Sequence, residues 1–308
     1  MRVTRRRHLA TWLTMPAPWA GCFRVSPPAL NVGTKAGVVE MLVAEAIVLH
    51  LESAFGASSA QVRPALGGAA ITHESLLAGQ IDLYAEYSGV ALTTVLGLAP
   101  VPDAASVREQ VKANYRNLFR CEWLAPLGFT NPPVLAAFRA RTPVTTISEA
   151  AAARSWRLGT THEFLSRPDG MALLMSVYKL PLSGAVQVFE VDHLYQALET
   201  GQVTLVAGQL LDAGIRNPAF VHLADDRLAF PAQEAGIVVA MNALDRNPQL
   251  LRTLLALEGR FDPDRVARLV SDWTGALAHW AANADSPAPQ PRQFAARLLG
   301  TTGSNPAQ

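Results

Sequence analysis

The polar residues of this sequence could serve two kinds of chemistry: proton transfer or metal binding, and the holding of a charged solute. For the first, the residues are present without the spacing. The seven histidines, His8, His50, His73, His162, His193, His222 and His279, never stand at paired metal-ligand intervals, and His162-Glu163 has no second histidine four residues on. GxSxG, HExxH, Walker A and GxGxxG are all absent. Asp225-Asp226 and Asp262/Asp264 place carboxylates close together, but each pair sits in a polar turn, where a solvated loop is the expected role. The residues thus offer no catalytic set, and the chain is expected to be no enzyme and to need neither cofactor nor metal.

For the second kind, Lys35 closes the triplet Gly33-Thr34-Lys35 directly ahead of a helix-periodic run. There the free N–H groups and the helix dipole favour an anion. Arg167 is a second cation, with Asp169 two residues on as a competing partner. A trimethylammonium has no N–H to donate, so it is held by aromatic faces, whereas a carboxylate calls for Lys, Arg or main-chain donors.

These residues must be positioned by strands alternating with helices. Apolar residues recur at helical spacing over Val38–Phe55 (Val39, Leu42, Val43, Ala46, Ile47, Leu51), with Gly56 as the stop. Further helices are expected near 73–78, 107–116, 170–177 and 193–200, with C-terminal helices over 248–257, 263–282 and 294–299. Strand signals fall at Leu30–Gly33 and at 62–66, 81–84, 134–138, 157–159, 186–189, 203–207, 221–223 and 237–240. This alternation predicts an α/β fold with mostly parallel sheets.

The chain has 308 residues, half of them hydrophobic, enough for two domains or lobes. A net charge of +1 excludes the whole-protein basic field that nucleic acid binding uses. The charge is unevenly spread: Arg2, Arg5, Arg6 and Arg7 precede a charge-poor stretch over 9–21, in the order of a secretory signal. Ala20-Gly21-Cys22 resembles the site at which bacterial lipoproteins are cleaved and acylated, which makes Cys22 the lipid attachment residue. Arg5-Arg6 leaves a twin-arginine route open, and an uncleaved N-terminus is the alternative. Without residues 1–21 the chain has 22 basic and 25 acidic residues, a net of −3. Cys121 would then be a lone thiol with a packing role, a disulfide to Cys22 being the other option.

Several segments in fixed order carry a resemblance: Gly33-Thr34-Lys35 with Glu40 on the next helix; Leu66-Gly67-Gly68; Asp82-Leu83-Tyr84-Ala85-Glu86-Tyr87-Ser88-Gly89; Trp123-Leu124-Ala125-Pro126-Leu127-Gly128-Phe129-Thr130-Asn131; Glu163-Phe164 with Arg167-Pro168-Asp169-Gly170; Leu194-Tyr195-Gln196-Ala197-Leu198; and Phe230-Pro231. Together they resemble the substrate-binding proteins of glycine betaine/choline/carnitine ABC importers. The resemblance implies a two-lobed periplasmic-binding-protein fold of type II, with a ligand cleft between the lobes. It implies lobe one at 29–138 plus 236–300, lobe two at 139–235, an anchor and linker over 1–28 and a tail at 301–308. It further implies a monomer in the periplasm or at the outer face of the cytoplasmic membrane, which meets the membrane only through its anchor or its permease. Its partners would be a quaternary amine or related zwitterion, a permease and an ATPase subunit, in osmoprotection or nutrient uptake.

Carried over residue by residue, the resemblance places Lys35 and Arg167 at a ligand carboxylate, Tyr84, Tyr87 and Tyr195 around a ligand cation, and Asn131 among the ligand-binding residues. One of Tyr84 and Tyr87 is expected to pack inside. The sequence also departs from the family. Pro133, Gln209 and Gln233 stand where tyrosines are usual, and Ala69 replaces a threonine hydroxyl. Each lost aromatic face removes about 0.5–2 kcal/mol from a cation contact. The cleft is therefore expected to hold a small cation or zwitterion with N–H or hydroxyl groups, met by the amides of Gln209 and Gln233. The alternatives are a ligand-sensing or adaptor protein with a divergent ligand, and an enzyme on the same fold.

Overall fold

The apolar run after Gly37 becomes a long helix because it is buried on most sides: Val39, Leu42, Val43, Ala44, Ala46, Ile47, Val48 and Leu51 are all inside. Each large apolar side chain so buried contributes about 1.5–3 kcal/mol. Gly56, at φ 101°, ends it with a backbone that residues with a side chain rarely adopt. The computed structural model describes residues 29–300 apart from 65, 154 and 284–286. The expected export signal, Cys22 and the tail at 301–308 lie outside the described residues.

Among the described residues ten strands and twelve α-helices follow one another. The strands are β1 (Leu30–Gly33), β2 (Ala60–Arg63), β3 (Leu83–Tyr87), β4 (Cys121–Trp123), β5 (Pro133–Phe138), β6 (Leu158–Thr160), β7 (Gln187–Val188), β8 (Leu205–Gln209), β9 (Phe220–Leu223) and β10 (Ala235–Ala240). The helices are α1 (Val38–Phe55), α2 (Ala69–Leu77), α3 (Ser88–Val90), α4 (Ala104–Phe119), α5 (Ile147–Ala153), α6 (His162–Ser166), α7 (Met171–Tyr178), α8 (Val191–Glu199), α9 (Met241–Arg246), α10 (Leu250–Leu255), α11 (Pro263–Ala282) and α12 (Pro291–Leu298). Asp103 and Asp262 cap α4 and α11 by accepting from Ser106 N and Arg265 N, both at 2.8 Å. Asp225 accepts from the backbone N–H groups of Ala229 and Phe230 in a turn.

The strands form two five-stranded sheets of the same pattern, β2-β1-β3-β10-β4 and β7-β6-β8-β5-β9. In each, four strands point one way and one runs against them: β10 is antiparallel to β3 and β4, and β5 to β8 and β9. Both reversed strands directly follow a passage of the chain from one sheet to the other. Each sheet carries helices on both faces. In the first lobe α1, α10, α11 and α12 cover one face, and α2 and α4 the other. In the second, α5 and α7 pack against Leu135 and Ala137, while α8 packs against Ala136.

The outgoing passage runs over 124–132 and the return ends at 234, where Thr130 and Glu234 form an antiparallel bridge. Asn131 N donates to Gln233 O and Ala235 N to Phe129 O, both at 3.1 Å, so the two passages hold each other. The expected boundary at 138 lies beyond β5, which belongs to the second sheet. An apolar strand of that length fits the interior of either lobe. Cys121 is buried beside Trp123 with a free thiol, which burial pushes up to about 11. Among the described residues no helix is long and apolar enough to cross a membrane.

Candidate ligand-binding site

Strand alternation sorts the two tyrosines of β3. Tyr87 faces the α1 side. Tyr84, fully buried on the other face, meets His73 Nδ1 at 3.2 Å and packs with Tyr115 and Trp123. Tyr84 is a core residue, and Tyr87 is the one that reaches the junction of the lobes. Burial holds the His73 imidazole down at about 4, so this cluster stays neutral.

Lys35 leaves the β1–α1 turn and points inward. Its ammonium meets Glu86 Oε1 at 2.5 Å and lies 4.7 Å from the centre of the Tyr87 ring. Burial would lower its pKa, but the carboxylates of Glu86, Glu40 and Glu163 outweigh burial and raise it. The Tyr87 hydroxyl accepts from Asn131 Nδ2 at 3.3 Å, and Asn131 Oδ1 accepts from Leu211 N at 2.9 Å. Asn131 thereby ties β3 to the loop that follows β8. Ala69 opens α2 and its methyl is buried in the α1 cluster.

On the second lobe, Arg167 follows α6 and grips Asp169 with two nitrogens, Nε to Oδ1 at 2.9 Å and Nη2 to Oδ2 at 2.5 Å. Its remaining nitrogen reaches Glu163 at 3.3 Å. Gln233 crosses from the return passage: Nε2 donates to Asp169 Oδ2 at 2.9 Å while Oε1 accepts from Val90 N at 3.2 Å. Tyr195, on α8, donates to Asp212 Oδ2 at 2.6 Å and stacks on Phe220. It fits because Gly208 and Gly214 have no side chain: a Cβ at Gly208 would stand 2.0 Å from its hydroxyl. Gln209 ends β8 directly opposite Pro133 across the antiparallel pair, so two of the family departures are neighbours.

Four of the expected residues, Lys35, Tyr87, Asn131 and Gln233, thus connect through bonds at the junction, and Arg167 joins them through Asp169. The profile of the substrate-binding domain of ABC-type glycine betaine transport systems matches residues 28–279. The chain belongs to this family.

Family relatives place it further. An ergothioneine transport permease/ergothioneine binding protein of Helicobacter pylori is 26% identical over 78% of this chain and 43% of its own length. The chain therefore spans less than half of that relative. A carnitine transport binding protein of Listeria monocytogenes is 23% identical over 69% of the chain and 70% of its own length. A crystal structure of a glycine betaine/carnitine/choline ABC transporter superposes with a TM-score of 0.70 at 21% identity, covering 88% of this chain and 97% of that one, which shows the shared fold.

In this glycine betaine transport family member, sequence reasoning named Asp169 as the partner of Arg167 but gave no role to the other carboxylates of the site. Glu40, Glu86 and Glu163 act on Lys35, Asp169 pairs with Arg167, and Asp212 follows Leu211, whose N–H Asn131 holds. All but Asp212 lie inside segments whose basic or aromatic residues drew attention, so the signal was adjacent. Burial raises Glu40, Lys35 opposes that, and Glu163 adds to it. Burial also lifts Asp212 to about 6 against hydrogen bonds from Tyr195 and Gln209, with Glu163 and Asp192 pushing the same way as burial.

Proposed function

We propose that the chain is the extracytoplasmic solute-binding component of an ABC importer, which takes a small amine or zwitterion between its lobes and delivers it to a permease. The observation that carries this reading is the convergence of Lys35, Tyr87, Asn131 and Gln233, from four separate segments, at the junction of two lobes between which the described chain passes twice. Closure of lobes about such passages is how a two-lobed protein sequesters a solute. The moving bodies are the two lobes, the first ending before β5 (Pro133–Phe138) and resuming with β10, the second running from β5 to β9. Capture needs no bond making in this chain; ATP is spent by the partner subunit. The reading includes export, with Cys22 as the acylated residue of the mature protein; the mass of the protein purified from membranes tests it, and an intact N-terminus would overturn it.

A thermal-shift screen of the purified protein against small amines, zwitterions and betaines tests the binding role. A ligand that binds only the folded chain adds about 2.7 kcal/mol at a hundred times its Kd. At least one compound should give a saturable rise in Tm. No rise with any of them overturns the reading.

A further inference from the structure

The headgroup that this cleft accepts follows from which of its groups are already engaged. Both cations expected at a ligand carboxylate are matched within the chain, Lys35 by Glu86 and Arg167 by the two oxygens of Asp169. A zwitterion's carboxylate would have to displace a buried partner from either. The remaining aromatic faces are engaged as well: the ammonium of Lys35 occupies the Tyr87 ring, and Tyr195 stacks on Phe220 with its hydroxyl given to Asp212. Pro133, Gln209 and Gln233 supply no ring.

The group left unmatched is an acceptor. Glu86 is 1% exposed; Oε1 receives Lys35 and the Tyr87 N–H, while Oε2 is buried without a hydrogen-bond partner. A buried anionic oxygen left unpaired is costly, and a donor would recover that cost. Glu40, in the first turn of α1, lies within reach of the Tyr87 hydroxyl, and the charge of Glu163 from the other lobe is felt at Glu40, Lys35 and Asp212. Two cations face five carboxylates across the junction. The site already shows what it stabilises: a primary ammonium, that of Lys35, resting on a tyrosine face and hydrogen-bonded to a buried carboxylate.

We infer that the cleft selects a cation bearing N–H donors, an amine or guanidinium headgroup, over a trimethylammonium, with Glu40, Glu86 and Asp212 as its acceptors. The inference rests on the solute-binding reading and narrows it. A quaternary nitrogen cannot satisfy Glu86 Oε2, and it would compete with Lys35 for the Tyr87 ring. An ammonium or guanidinium donates to the carboxylates as it docks, and charge-assisted bonds of this kind are the stronger ones.

The experiment is calorimetric titration of the whole protein with matched probes that differ in N-methylation: ethanolamine against choline, glycine against glycine betaine, and agmatine as the guanidinium. The tightest N–H-bearing probe should bind at least tenfold more tightly than either quaternary compound, and Glu40→Gln should lower that affinity at least tenfold while leaving the circular dichroism spectrum unchanged. Choline or glycine betaine binding as tightly as every N–H-bearing probe overturns the headgroup inference and leaves the solute-binding reading standing. Binding by no probe of either series counts against both. Should Glu40→Gln fail to fold, Asp212→Asn carries the same comparison; loss of amine affinity supports the inference, and unchanged affinity in a folded variant refutes it.

Discussion

Gln233 Nε2 donates to Asp169 Oδ2 across the junction of the lobes at 2.9 Å, and the same side chain accepts from Val90 N on the first lobe. One residue of the return passage therefore holds both lobes, and it does so where the family usually has a tyrosine. Gln233→Ala removes a bond to a charged acceptor worth about 1.5–3 kcal/mol. The expected outcome is a wider ligand-free molecule by small-angle X-ray scattering, with faster proteolysis at the passages; an unchanged radius of gyration would refute the link.

Lys35 is the internal occupant of the Tyr87 face. Lys35→Met should act in two directions at once. It strands Glu86, so stability should fall by about 3–5 kcal/mol, the cost of breaking a buried pair from one side. It also vacates the ring and the carboxylate, so an amine probe should raise the Tm of the variant more than that of the parent. A lysine that grips a ligand carboxylate would predict the reverse, with ligand stabilisation lost.

Asp212 gives the site a pH dependence. Its folded pKa, about 6, lies above the usual aspartate value of 3.8. The folded state holds this proton more tightly than the unfolded chain, so its contribution to stability is full below about pH 4 and falls away as pH rises toward 6, by at most about 3 kcal/mol. Cation affinity should move oppositely, rising through about pH 6 as the folded carboxyl ionises. Asp212→Asn should flatten both curves, as urea melts and titrations between pH 4 and 7 would record.

Gly208 is occupied space. A Cβ there would lie 2.0 Å from the Tyr195 hydroxyl and 2.9 Å from Asp212 Oδ2. Gly208→Ala should push Tyr195 off Asp212 and cost about 1–3 kcal/mol in denaturant unfolding. Tyr195→Phe in the same background should restore part of the loss, because the phenyl ring lacks the oxygen that clashes.

Much of this architecture was legible in the sequence, and the failures have physical reasons. Val38–Phe55 was bounded correctly because its periodicity is strong and Gly56 stops it. β4, three residues long, carries too little alternation to be seen, and α5 and α6 are a few turns at most. α4 extends beyond the expected 107–116 because the Asp103 cap starts it early in a polar stretch. At the site, residue identities pointed to Lys35, Tyr87 and Arg167, but which carboxylate neutralises each cation depends on how strands align in space. Arg167 took the near partner, Asp169; Lys35 took Glu86, fifty-one residues away. Tyr84 and Tyr87 look alike in a motif, and only strand alternation separates the core ring from the site ring.

The reversed strand in each sheet has a temporal consequence. All strands of the second sheet lie between Pro133 and Leu223, whereas β10, inserted between β3 and β4 of the first, is made more than a hundred residues after either neighbour. The second lobe can therefore mature as a continuous stretch of chain, while the first keeps an unfilled slot at its centre until Ala235–Ala240 arrives and must close long loops to fill it. In pulsed hydrogen exchange during refolding, amides of β6 and β8 should be protected before those of β3 and β4; simultaneous protection would refute this order. The first lobe therefore stays incompletely folded until β10 and the helices after it have emerged.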